Sequence, residues 1–118
     1  MKEGNTAVSE RRIAERVQVS LDARWEGVTA QCGGTIVDLS ASGCFILTSD
    51  LVSRDELIRL EVATPTGGAI YLWGEVVYKL TEMGFALRFT GMGDAEESML
   101  GLLLEYVRFS GGATAAAA

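Results

Sequence analysis

The sequence predicts an all-β domain: a six-stranded antiparallel β-barrel with one C-terminal α-helix packed on it. Three observations carry that expectation. Six strand-like stretches follow one another, most of them alternating apolar and polar residues with a period of two. Glycine pairs and a Thr-Pro-Thr-Gly-Gly cluster punctuate them. After Asp94 the period changes, once, to helical spacing.

Taken in order, residues 1–9 are small and polar and are expected to be a disordered N-terminal segment. Val17, Val19, Leu21, Ala23 and Trp25 alternate strictly with Gln18, Ser20, Asp22, Arg24 and Glu26, which is the pattern of a half-buried strand. Val28–Cys32 and Thr35–Leu39 read as a second strand, interrupted at Gly33-Gly34 by a bulge or bend of the kind small barrels need at corners. Cys44–Thr48 is short and apolar on both faces, as a buried strand would be. Ile58, Leu60 and Val62 alternate with Arg59 and Glu61 in a fourth strand, and the Thr64–Gly68 run forms a turn. Ile70–Leu80 is a long fifth strand, and Met83, Phe85, Leu87 and Phe89 mark a sixth.

Asp94 is the expected N-cap of the helix, with Glu97 three residues on in a capping-box arrangement. Met99, Leu100, Leu103, Tyr106 and Val107 form the expected core stripe, running to about Phe109. Leu102, Leu104 and Phe109 are expected on a partly exposed face that could serve a partner or a dimer. Trp25 and Trp73 read as packing residues. Gly111 is expected to stop the helix, and residues 111–118 are expected to be a disordered tail. Residues 10–110 then form a single domain.

Composition removes several function classes. The 118 residues suffice for one core without staples. There is no histidine, which excludes a Ser-His-Asp triad, a Cys-His dyad and an imidazole-ligated metal. Cys32 and Cys44 stand twelve apart and have no zinc-ligand spacing, so they read as reduced, mostly buried thiols. Glu96-Glu97 suits a helix dipole better than acid–base work. Neither a catalytic centre nor a metal or cofactor site is expected. A net charge of −6 argues against duplex nucleic acid and anionic membranes as partners. No apolar run is long enough to span a bilayer and no signal-peptide core follows Met1, so a cytoplasmic protein is expected.

Against that acidic background, three of the ten basic side chains, Arg11, Arg12 and Arg16, crowd into six residues. A second polar cluster, Asp38-Leu39-Ser40-Ala41-Ser42-Gly43, lies downstream. If strands one and two form a hairpin turning near Glu26-Gly27, antiparallel partners sum to about 54 and Arg16 faces Asp38 at one rim, within a residue or two. Guanidinium forks match the O6 and N7 acceptors of guanine and can stack on a purine or hold phosphate bidentately. Asp38 can accept from guanine's N1–H and N2–H₂ donors, Ser40 can bond a phosphate or base edge, and Gly43 allows close backbone approach or a positive φ. The two clusters together suit a small anionic ligand containing guanine.

Arg12-x-x-x-Arg16 followed by Asp38-x-Ser40-x-x-Gly43 resembles the paired signature of the PilZ domain family, bacterial receptors for cyclic di-GMP. The resemblance extends over roughly residues 10 to 108 and includes the Trp73-Gly74-Glu75-Val76-Val77 and Gly84-Phe85-Ala86-Leu87-Arg88-Phe89 strands. It implies a six-stranded barrel with a C-terminal helix. It implies that Arg12 and Arg16 wrap the nucleotide from a flexible arm, that Asp38 and Ser40 bond guanine, and that Gly43 shapes the turn. Arg11, just before the motif, implies two stacked ligand molecules per site. The function implied is that of a cyclic di-GMP receptor or adaptor, monomeric or weakly dimeric, whose ordered arm alters the surface offered to a downstream protein. Two other readings stand beside it. One is a nucleotide-independent PilZ-like interaction module for motility or pilus machinery. The other is a small barrel for single-stranded nucleic acid, which net charge and Glu75 beside Tyr71, Trp73 and Tyr78 oppose.

Overall fold

The computed structural model describes residues 15–27 and 30–110, together with the backbone of 114–115. Strands β1 (Val17–Glu26), β2 (Gln31–Leu39), β3 (Gly43–Leu47), β4 (Leu57–Ala63), β5 (Ala69–Leu80) and β6 (Gly84–Phe89) precede helix α1 (Asp94–Phe109). A two-residue strand, β7 (Thr114–Ala115), lies parallel to β1 at Ser20 and Leu21. The rest of both expected disordered ends lies outside the described residues.

The six long strands close on themselves. Hydrogen-bonded neighbours run β2-β3-β6-β5-β4-β1, and β1 pairs again with β2. Every pairing among them is antiparallel. Closure turns strand alternation into an inside and an outside. Val19, Leu21, Ala23 and Trp25 point inward from β1, Ile58, Leu60 and Val62 from β4, and Phe85, Leu87 and Phe89 from β6. Trp25 meets Phe85 edge to face, with ring centroids 5.3 Å apart.

Three bulges adjust this alternation. One residue is extra in β1 between Gln18 and Leu21, one in β2 between Ile36 and Asp38, and one in β5 between Val76 and Tyr78. Exposed positions alternate in β5 as far as Val76, at Tyr71 and Trp73, and beyond the bulge Val77, Tyr78, Lys79 and Leu80 are all exposed. By that alternation Trp73 is a half-exposed surface residue, whereas Trp25 belongs to the core.

Several boundaries differ from the sequence reading, each for a local reason. The second strand begins at Gln31 and runs unbroken through Gly33-Gly34. Those glycines do not interrupt it. Gly34 instead lets β2 lie against β3, where a Cβ would sit 2.5 Å from the Leu47 carbonyl oxygen. Met83 is exposed in the turn before β6 rather than facing the core. The helix is capped one residue earlier than expected. Gly93 is the N-cap, and its N–H donates to Glu96 Oε1 at 3.0 Å, so Glu96 takes the place expected of Glu97.

α1 rests on β1 and β5 through Leu100, Leu103, Leu104 and Val107. Leu104 is thus a core residue, while Met99 and Tyr106, expected in the core stripe, are about half exposed. Burying each leucine contributes roughly 1.5–3 kcal/mol. That burial, more than intrinsic helix propensity, holds this helix in place.

Both cysteines are free. Burial pushes the Cys44 thiol far above its ordinary value; the Asp38 carboxylate adds to the shift and the Arg16 guanidinium opposes it. Burial also raises Cys32, helped by Asp50 and Glu56, although this residue is only partly covered.

A Cβ at Gly84 would overlap the Ile46 carbonyl group, whereas one at Gly101 on α1 would meet open space. Gly84→Ala is therefore expected to lower stability by about 2–3 kcal/mol, and Gly101→Ala to raise it by about 0.5–1 kcal/mol, both read by urea denaturation. A maleimide or iodoacetamide reagent at mildly alkaline pH should modify Cys32 in the native protein and Cys44 only after unfolding, as followed by mass spectrometry.

Candidate functional site

One end of the barrel gathers the start of β1, the end of β2 and the start of β3. Val17 lies opposite Leu39, Gln18 opposite Asp38, and Leu39 opposite Cys44. Strand partners add to 56 here and to 57 further along, at Asp22 and Thr35, rather than to the 54 expected. The offset arises because the connection between Glu26 and Gln31 is longer than a two-residue turn. Gln18, not Arg16, is consequently the backbone partner of Asp38.

Arg16 nevertheless reaches Asp38 with its side chain. Its Nη1 donates to Asp38 Oδ1 at 2.6 Å, a charge-assisted hydrogen bond linking residues 22 apart in sequence. The Arg16 side chain remains 58% exposed and that of Asp38 32%. An ion pair so accessible to water contributes at most about 1 kcal/mol to stability. It positions the two groups without locking them.

Residue 15, just before it, is tied elsewhere. Glu15 Oε1 lies 3.3 Å from Arg108 Nη2 in the last turn of α1. The root of the N-terminal segment is thus held at two points, one on the barrel and one on the helix. Arg11 and Arg12 lie outside the described residues.

The turn between β2 and β3 is organised by Ser40, which is 1% exposed and the buried polar residue of this region. Its N–H donates to the Gly43 carbonyl at 2.9 Å. Its hydroxyl oxygen accepts from the N–H groups of Ser42 and Gly43, each at 3.2 Å, and lies 3.3 Å from the Gly43 carbonyl oxygen and 3.2 Å from the Ser42 hydroxyl. This is a serine turn in which the side chain substitutes for a backbone partner. The Ser40 hydroxyl is therefore engaged within the turn rather than presented at the surface.

Gly43 serves close approach and not a positive φ. Glycines with positive φ among the described residues are Gly67 and Gly91. A Cβ at Gly43 would collide with the Leu87 carbonyl oxygen on β6. The turn is fastened to β6 on its other side as well, where Phe89 N–H donates to the Ser42 carbonyl at 2.9 Å.

The structure thus brings Arg16, Asp38, Ser40 and Gly43 to one rim. Two neighbours escaped the sequence reading. Arg88 stands across from Gly43 on β6, its guanidinium turned outward to Glu75 at 2.7 Å. The alternation of Phe85, Leu87 and Phe89 already placed Arg88 on the outer face. The Glu15–Arg108 contact carried no sequence signal, because it joins a segment before β1 to the end of a helix 93 positions later. Among the described residues, no group of three or more potential ligand side chains could hold a metal ion. No helix among them is long and apolar enough to cross a membrane.

Comparison with solved structures returns the same fold repeatedly. The PilZ domain of YcgR from Escherichia coli, determined with c-di-GMP, aligns with a TM-score of 0.72 at 14% identity, over 85% of this chain and 94% of that one. The Bacillus subtilis inhibitor of motility (MotI/DgrA) aligns with a TM-score of 0.67 at 17% identity, over 84% of this chain and 52% of that one. The PilZ domain of CeSA from a cellulose-synthesizing bacterium aligns with a TM-score of 0.65 at 14% identity, over 79% of this chain and 98% of that one. A search of curated protein sequences gives no significant match. The sequence model of the PilZ domain matches residues 10–106, from ahead of the rim arginine to the last turns of α1, and the chain therefore belongs to the PilZ domain family.

Proposed function

We propose that this chain is a cyclic di-GMP receptor that works as an adaptor. The observation that carries the reading is the 2.6 Å contact between Arg16 and Asp38. It sets the base of the arginine-rich segment against the turn bearing the second motif. Membership in the PilZ family and the fold shared with the c-di-GMP-bound YcgR domain support it.

The proposed chemistry exchanges partners at the rim. Without ligand, Arg16 and Asp38 satisfy one another. Cyclic di-GMP offers each a better partner: phosphate or the O6/N7 edge of guanine for the guanidinium, and the N1–H and N2–H₂ donors for the carboxylate. The exchange is cheap because the exposed ion pair it dissolves is weak. Arg12 closes over the ligand from the N-terminal side, and Arg11 holds a second, stacked copy. Ser40 keeps the turn in shape through its bonds to Ser42 and Gly43, and a direct bond from it to guanine requires its hydroxyl to leave Gly43. Ordering the arm costs on the order of 1–2 kcal/mol per residue fixed. Several charge-assisted hydrogen bonds of roughly 1.5–3 kcal/mol each offset that cost. The covered rim and ordered arm then present a new surface to a downstream protein.

Calorimetric titration with cyclic di-GMP tests this, with linear GMP dinucleotide as control. Arg12→Ala, Arg16→Ala and Asp38→Ala are each expected to weaken binding by roughly 10- to 100-fold, while the folded state loses no more than about 1 kcal/mol. Absence of binding by the native chain would reassign it as a nucleotide-independent interaction module. Stoichiometry supplies a separate prediction: two ligands per chain for the native protein and one for Arg11→Ala. Two ligands bound by that variant would remove Arg11 from the site.

A further inference from the structure

α1 carries two apolar stripes, and only one of them has a partner. Leu100, Leu103, Leu104 and Val107 face the barrel. Ala95, Met99, Leu102, Tyr106 and Phe109 fall on a second face, within an arc of about 80° at 100° per residue, and all five are exposed. Leu102 is 68% exposed and Phe109 89%. Beside this stripe lies a groove of about 370 Å³ between α1 and the β4–β5 turn, with Pro65 and Ile70 on its far wall and Met99, Leu102 and Tyr106 on its near one.

We propose that this face pairs with the same face of a second copy of the chain, the two helices antiparallel about a two-fold axis through Leu102. The stripe is complementary to itself when reversed. In this register the two Leu102 side chains meet on the axis. Met99 meets Tyr106, a sulfur–aromatic contact. The smallest side chain of the stripe, Ala95, meets the largest exposed one, Phe109. The register brings Glu105 beside Ser98 of the other copy, so no two carboxylates face each other across the seam. Residues on the stripe itself carry no charge and therefore call for no charged partner. Asp94, Glu96, Glu97 and Glu105 on the same helix oppose an anionic lipid surface as the alternative cover. The groove seats the longer side chains of the second copy. An interface built on one helix and one groove lies toward the lower end of specific contact areas, which corresponds to a weak, concentration-dependent dimer. Because the pairing is isologous it closes at two copies and does not propagate.

Sedimentation equilibrium of the full chain over a wide concentration range is the test. The expected result is a reversible monomer–dimer equilibrium. Leu102→Glu, which places two carboxylates on the axis, should weaken it by about 100-fold or more, with an unchanged circular dichroism spectrum. In a Cys32→Ser background, Leu102→Cys should form a disulfide-linked dimer on mild oxidation, and Arg54→Cys, exposed elsewhere, should not. A chain that stays monomeric at every concentration overturns the proposal. So does a dimer that Leu102→Glu leaves intact, or one in which Leu102→Cys fails to cross-link.

Discussion

Closure of the sheet is the constraint from which the rest of this molecule follows. β1 is the closing strand, paired on one side with β2 and on the other with β4. Once it is in place, each of the six long strands has two neighbours among them, and period-two alternation becomes a dry interior and a wet exterior. Closure also demands places where backbones nearly touch. Gly34, Gly43 and Gly84 occupy such places, where a side-chain carbon would run into the backbone of a neighbouring strand, and one at Gly74 would run into the Leu87 side chain. The same closure fixes the end of β2 beside the start of β1. A polar turn and a cationic segment distant in sequence are thereby made neighbours.

Stability and recognition are kept apart in this arrangement. Leu21, Ile36, Leu60 and Val76 are fully buried and remote from exchange with solvent. The groups at the rim are held by contacts of a different order: an exposed ion pair, and a serine whose hydrogen bonds all stay within its own turn. Rearranging the ion pair costs little, while the serine turn beneath it keeps its shape. The proposed receptor role calls for that combination of a replaceable contact on a fixed frame.

Much of this was legible in the sequence. Strict alternation in β1 and the change of period at α1 located those elements to within a residue or two, because burial on one face leaves a periodic trace. The meeting of Arg16 with Asp38 could also be anticipated, since a hairpin brings its ends together whatever its exact register. What could not be read depended on long-range geometry. The bulge in β5 leaves Val77 to Leu80 all exposed, where strict alternation would have turned Tyr78 and Leu80 inward, and no local residue announces it. Gly33-Gly34 resembled a break because glycine weakens a strand, yet here it permits one strand to lie against another. Leu104 looked exposed, and Met99 and Tyr106 buried, because periodicity gives the shape of a stripe but not the angle at which a helix settles on its support.

Glu15 and Arg16 are consecutive, yet one is bound to the helix and the other to the barrel. Their Cα atoms stand about 3.8 Å apart across a rigid peptide unit. Both attachments are ion pairs made by long, largely exposed side chains. One peptide unit thus carries contacts to two different elements, and residues 15 and 16 mark where the chain ahead of β1 meets the helix and the barrel together.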